Sequence, residues 1–287
     1  MKVLHTIGAL CFIGCMMSCQ SVKNKITEKS GIDSLASNPF ITHMYTADPS
    51  AHVWEDGRLY IYASHDIDPP RGCDLMDRYH VFSTDDMVHW TDHGEILNSS
   101  QVAWGRKEGG FMWAPDCAYK NGTYYFYFPH PSETAWNDSW KIGVATSRYP
   151  DRDFKVQGYI KGMDSLIDPC VFIDDDGQAY IYHGGGGICK GGKLKDNMME
   201  LDGEMLRMEG LVDFHEAPWV HKYNGKYYLF AAFKSETRCR SMHILTADSP
   251  LGPFAPLTDM PITPADWECL DGTLWVEDGK PYMVFCH

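Results

Sequence analysis

Three acidic residues, Asp48, Asp168 and Glu216, each stand nine residues before the glycine of an Asp-Gly or Asn-Gly dipeptide: Gly57, Gly177 and Gly225. Equal offsets from equal turns place side chains at one depth and on one side of their strands. Carboxylates gathered in this way raise one another's pKa values, so a fold gains no stability by collecting them. Two carboxyl groups across a cleft, one ionised and one protonated, suit cleavage of a glycosidic bond. One activates water and the other protonates the leaving oxygen. A third keeps the acid protonated, because like charges resist simultaneous ionisation. A plainer reading exists for Asp48 and Asp168, each followed by proline, as turn formers at the start of a strand. Glu216 fits it poorly, being a poor turn former with its proline two residues on. Asp116 and Asp271, six and eight residues before Gly122 and Gly279, fall outside the register and fit the turn-former reading.

Other residues share the spacing. Trp113 is nine residues before Gly122 and faces the same mouth, where its ring suits stacking on a sugar or plugs the channel as core. Eight residues after three of the turn glycines come His65, His130 and His287. These histidines contact substrate or hold an ion in the channel, or else face solvent from loops. Asp66, next to His65, is a candidate partner for a substrate hydroxyl.

The elements that position these residues repeat. "DPSAHVWEDGRLYIYAS", "APDCAYKNGTYYFYFPH", "DPCVFIDDDGQAYIYHG", "APWVHKYNGKYYLFAAF" and "ECLDGTLWVEDGKPYMVFCH" each carry an Asp-Gly or Asn-Gly turn between alternating strands. That is the strongest short-range hairpin signal. The turn glycines recur at intervals of 65, 55, 48 and 54 residues, and the first four hairpins are each followed by room for two more short strands. Four strands per repeat at this period predict an all-β fold, a five-bladed β-propeller. The fifth blade is incomplete at the C-terminus, and either the coding sequence is truncated or "PFITHMYT" near the start crosses over to patch that blade. First strands line the channel of a propeller, so function is expected where they begin.

The motifs "ADPSAHVW" (Asp48), "LIDPCVF" (Asp168), "HEAPWVHKYNGKYYLF" (Glu216) and "WAPDCAYKNGTYYFYF" resemble those of glycoside hydrolase family 43, from about Asn38 to the last residue. The resemblance implies an inverting hydrolase with Asp48 as general base, Glu216 as general acid and Asp168 as modulator of the acid's pKa. Inversion implies a base-to-acid separation of roughly 6.5–9.5 Å. The implied substrates are arabinose- or xylose-containing polysaccharides or oligosaccharides, cleaved as by an α-L-arabinofuranosidase or β-xylosidase. Endo-arabinanase and galactan- or galactofuranose-cleaving activities share the fold, and a non-catalytic glycan-binding lipoprotein is the alternative from another class. The β-fructosidases are set aside because "TADPS" stands where they carry Asn-Asp-Pro-Asn. No cofactor is required. Some family members hold a calcium or other ion in the channel, so a structural cation is compatible with the resemblance, although the residues here define no ligand set.

The net charge of −14 argues against nucleic acid as a partner. "YHGGGGICKGGK" lacks the phosphate-loop pattern and reads as a flexible blade-three loop at the mouth. The Tyr-rich second strands read as packing between blades. Residues 1–19 combine Lys2, a short apolar stretch and "MMSC", which predicts a lipoprotein-type signal peptide with Cys19 as the lipidated residue. Residues 20–37 form a polar tether, and 38–287 the propeller. The expected address is the periplasm or surface of a bacterium, with the membrane engaged only through the lipid. Outside the leader, seven scattered cysteines without a C-x-x-C pair predict neither a zinc site nor a disulfide scaffold.

Overall fold

A computed structural model describes residues 38–67, 72–133, 138–234, 240–264 and 271–286. The leader with Cys19, the tether and His287 lie outside these described residues. Four antiparallel four-stranded sheets follow one another along the chain. Blade one holds Thr46–Val53 (β1), Leu59–His65 (β2), Arg78–Thr84 (β3) and Thr91–Asn98 (β4). Blade two holds Asp116–Lys120 (β5), Thr123–Pro131 (β6), Trp140–Ser147 (β7) and Lys155–Tyr159 (β8). Blade three holds Ile167–Ile173 (β9), Ala179–Gly185 (β10), Ile188–Leu194 (β11) and Leu206–Arg207 (β12). Blade four holds Phe214–Tyr223 (β13), Lys226–Phe233 (β14), Ser241–Ala247 (β15) and Ala255–Pro256 (β16). A fifth sheet pairs Gly272–Glu277 (β17) with Lys280–Phe285 (β18). The first strands form a ring: β1 neighbours β5, β5 neighbours β9, β9 neighbours β13, and β17 touches both β13 and β1. This is the five-unit propeller predicted from the repeats, with a two-stranded fifth unit among the described residues.

The tyrosines of the second strands hold the blades together. Tyr62, Tyr79, Phe126 and Phe128 fill the seam between blades one and two. Tyr127, Ile142 and Ile181 fill the next, and Tyr182, Trp219 and Phe230 the one after. Three buried hydroxyls repeat one bond to a loop of the following blade. Tyr62 donates to the Pro150 carbonyl (2.8 Å), Tyr127 to Met198 (2.9 Å) and Tyr182 to Pro250 (2.8 Å). A buried phenol needs such an acceptor, so the same tyrosine supplies both apolar area and docking geometry. Where the fifth sheet meets blade one, Trp275 and Val284 pack on Ile61 and Phe82. Phe40, Ile41 and Met44 cover that seam. The N-terminal segment therefore packs over the fifth sheet's junction, and among the described residues it adds no strand to β18.

Two local features differ from the sequence expectation. The glycine run of blade three is not a flexible loop. Its residues belong to β10 and β11, joined by Gly186-Gly187, both in the left-handed conformation that a two-residue hairpin turn demands. Gly184 is also packed, since a Cβ there would lie 2.6 Å from the Phe214 ring. The second difference is in the turns. In hairpin one, Trp54 and Arg58 close a three-residue turn (Trp54 N to Arg58 O, 3.2 Å), and Asp174 with Gln178 does the same in hairpin three (2.9 Å). Hairpins two, four and five pair Lys120 with Thr123, Tyr223 with Lys226 and Glu277 with Lys280, across two-residue turns. Counting back from the glycine therefore slips by one residue between the two sets.

Candidate active site

Counted from the last paired residue before each turn, the equivalent positions are Asp48, Ala114, Asp168, Ala217 and Asp271. Trp113 and Glu216 stand one residue earlier. Glu216 thus reaches the site from a different strand position than the two aspartates, which corrects the common register. Asp271 belongs to the level from which it had been excluded. The signal was in the sequence: proline to turn glycine is eight residues in hairpins one and three but seven in two and four.

A repeated β-bulge makes this level. Asp48-Pro49 oppose a single residue, Ala63; Asp168-Pro169 oppose His183; Ala217-Pro218 oppose Ala231. Proline lacks an N–H and leaves no orphan donor in the ladder. The residue before it takes a left-handed conformation in all three bulges, with φ of 54° at Asp48, 51° at Asp168 and 60° at Ala217. Each such residue costs about 1–3 kcal/mol, held by the surrounding sheet. Bulges of this kind re-aim side chains beside functional sites.

The bulges also tie blade to blade. Ala114 N–H of blade two donates to Asp48 Oδ2 of blade one (3.3 Å), and Ala217 N–H of blade four donates to Asp168 Oδ2 of blade three (3.0 Å). Asp48 Oδ2 also accepts from the Ser64 hydroxyl (3.2 Å). Asp168 is buried, whereas Asp48 keeps part of its surface open. Glu216 has an 18% exposed side chain, with His215 Nε2 at 3.6 Å and Arg240 Nη1 at 3.9 Å from its Oε1.

Electrostatics set these acids apart from surface carboxylates. Burial pushes Asp48 up to about 6; the Ser64 hydrogen bond opposes this, and the charge of Glu216 adds to it. Burial, then the charges of Glu216 and Asp48, hold Asp168 well above the carboxylate range. Burial also raises Glu216, against the pull of Arg240 and Lys234. Asp271 is driven well above its ordinary value by burial, then by Asp168, Asp48, Cys286 and Glu216. Four carboxyl groups within electrostatic reach can divide acid from base, since crowding lets only some of them ionise near neutrality.

The remaining candidates scatter. Trp113 is half-buried in an aromatic cluster with Trp140 (4.8 Å between ring centroids) and Phe111 (5.7 Å), its indole N–H bonded to the Cys73 carbonyl. His65 and Asp66 line a cleft of about 960 Å³ between blade one and the fifth sheet. His65 leans on His80 and Asp66 accepts from the Ile67 amide. His130 corrects both earlier readings. Its ring is wholly buried in the seam behind β6, edge-on to Trp104, and a Cβ on Gly105 would sit 2.4 Å from it. Burial lowers it to about 4, so it is a neutral core residue rather than a loop or mouth histidine. Asp116 is likewise no turn former but a fully buried hub. Among the described residues, no group of three or more His, Cys, Asp or Glu side chains is arranged to hold a metal ion.

Known proteins share this architecture. The chain matches Glycosyl hydrolases family 43 over residues 36–240 and 217–287. It is 38% identical to xylosidase/arabinosidase 43A of Humicola insolens, over 77% of this chain and 80% of that one. To a xylosidase/arabinosidase of Bacteroides ovatus it is 36% identical, over 73% and 76%. A family 43 β-xylosidase/α-arabinofuranosidase from a compost metagenome, solved with xylotriose, superposes with a TM-score of 0.75 at 32% identity, covering 87% of this chain and 88% of that one. With the propeller, the bulge-borne carboxylates and the sequence match in agreement, this chain belongs to glycosyl hydrolase family 43 and is a glycosidase.

Proposed function

We propose that the enzyme releases xylose or arabinose units from arabinoxylan-type oligosaccharides by inversion, with Asp48 activating water, Glu216 protonating the leaving oxygen and Asp168 keeping Glu216 protonated. The observation carrying this reading is the division of labour among the acids. Asp48 is partly exposed and accepts two hydrogen bonds that favour its ionised form. Glu216 is raised by burial, as a general acid requires, and its charge helps to raise Asp168. The names of the relatives, xylosidase and arabinosidase, support the substrate class. Trp113, beside Ala114 on the rim, is the proposed sugar platform, with His65 and Asp66 as outer hydroxyl contacts.

The test is hydrolysis of aryl β-D-xyloside and aryl α-L-arabinofuranoside by the parent and by Glu216→Gln, with proton NMR of the first-formed anomer. Parent turnover with an inverted product, lost in the variant, is expected. Equal activity in the variant removes Glu216 as the acid, and a retained configuration removes Asp48 as a water-activating base. Binding without turnover in the parent points to a glycan-binding protein instead. We also propose export with a lipid on Cys19, supported by Lys2, the apolar leader and "MMSC". Palmitate labelling that persists in Cys19→Ala overturns it.

A further inference from the structure

Asp271 occupies on the fifth sheet the position that Asp48 and Asp168 occupy on blades one and three. It immediately precedes β17, which lies between β13 and β1, so it enters the site from the side opposite blade two. Its main chain is fastened just past the end of β18, where the Cys286 N–H reaches the Asp271 carbonyl at 3.4 Å and the thiol reaches it at 3.7 Å. Its place at the level of Asp48, just before the strand next to β1, brings its carboxyl within hydrogen-bonding reach of the Asp48 carboxyl. Two carboxyl groups form such a bond only when one of them carries a proton.

The surroundings decide which one. Asp48 accepts from Ser64 and from the Ala114 amide, both of which favour the ionised form. Among the described residues, Asp271 feels the carboxyls of Asp168, Asp48 and Glu216 and the Cys286 thiol, each anionic or neutral. Tyr79 of β3 faces Asp48, and among the described residues the cations Arg240 and Lys234 act on Glu216. Positive charge is therefore directed at the far acid, and Asp271 receives the crowding.

We propose that Asp271 is a positioning residue for the base: it holds the shared proton and donates it in a hydrogen bond to Asp48, which keeps the Asp48 carboxylate ionised and aimed at water. The inference rests on Asp48 being the base. It gives the fifth sheet a part in the chemistry, since a carboxyl supplied from β17 conditions a carboxylate supplied from β1.

The test compares the pH dependence of kcat/KM, on whichever aryl glycoside is turned over, for the parent, Asp271→Ala, Asp271→Asn and Asp48→Asn. Removing the donor in Asp271→Ala is expected to lower kcat about tenfold to a hundredfold. It should also move the acidic limb upward by roughly one pH unit. Asp271→Asn, which keeps an N–H donor, is expected to rescue much of kcat and return the limb toward the parent. A downward shift of the limb in Asp271→Asn overturns the proposal, because it shows an ionised Asp271 that repels Asp48. An unchanged limb in Asp271→Ala, with only thermal stability altered, overturns it as well, by reducing Asp271 to a structural part. Should Asp271→Ala not fold, the direction of the limb in Asp271→Asn alone decides. Asp48→Asn separates the two levels: if it stays active, the base assignment fails whatever Asp271 does.

Discussion

Asp48 and Asp116 stand on neighbouring blades, within two residues of equivalent strand positions, and meet opposite surroundings. Asp116 is fully buried and saturated with donors. It accepts from the Ser50 hydroxyl (2.7 Å), His52 Nε2 (2.8 Å) and the Cys117 amide (2.7 Å), and its second oxygen accepts from the Val171 amide of blade three. Asp48 is more open, yet its donors are longer, at 3.2 and 3.3 Å, and carboxyl groups crowd its other side. Donors that outnumber an acid's negative neighbours make it a structural pin across three blades. Negative neighbours and burial that outweigh the donors fit Asp48 to the proposed role of base. Residue type and depth in the channel are nearly shared; the hydrogen-bond inventory separates the roles.

The strongest way to break this contrast is to neutralise the reactive group. Asp48→Asn and Glu216→Gln should each lower kcat/KM by about 10²–10⁴-fold with the fold intact by circular dichroism. A folded Asp48→Asn variant with parent activity would place the base elsewhere. Asp116→Ala should do the reverse. It leaves His52, a hydroxyl and two amides without their acceptor, so urea unfolding should show a loss of about 3–5 kcal/mol. Activity per folded molecule should stay near the parent's. A stable Asp116→Ala would remove the structural half of the comparison.

Asp168→Asn sharpens the contrast from the other side. A carboxyl raised by burial destabilises the folded state once it must ionise, so the neutral isostere should raise Tm by roughly 2–4 °C, read by calorimetry at pH 7. The same change should lower kcat/KM more than tenfold. The sign of the pH dependence agrees: between 3.8 and about 6 the native protein holds a proton on Asp48 that the unfolded chain has released. Stability contributed by that group therefore falls as pH rises through this window and levels off above it. The smallest effect belongs to Arg240→Gln. Arg240 pulls Glu216 downward, so its removal should move the basic limb of kcat/KM to higher pH by under about one unit. An unmoved or lowered limb would mean that the guanidinium is not felt at the acid.

Much of this molecule is legible in the chain. Asn-Gly and Asp-Gly turns between alternating strands gave the number of hairpins, because the left-handed glycine, joined by a left-handed neighbour in the two-residue turns, is a local requirement that sequence must meet locally. The tyrosines of the second strands were readable as seam residues for a similar reason, since alternation fixes the face. Asp48 and Asp168 were readable from their offsets as residues of one level, whereas Glu216 shares the offset but not the strand position. Asp271 was not readable in this way, because the offset was taken from the glycine and one set of hairpins has a turn longer by a residue. His130 failed differently. Position at the end of a returning strand says nothing about which seam closes over the ring, and Gly105, distant in sequence from the strand, is what makes room for it.

Sequence alone determined the repeat, the turns, the bulge-forming Asp-Pro and Ala-Pro pairs and the identity of the acids, all of them short-range facts of backbone preference and side-chain chemistry. Tertiary structure decided which acids meet, which of them are supplied with donors, and which is crowded by charge. Those outcomes depend on closing a ring of first strands, so that β17 comes to lie beside β1 although more than two hundred residues separate them. A carboxyl group's role follows from the field around it, and that field is assembled from every blade at once.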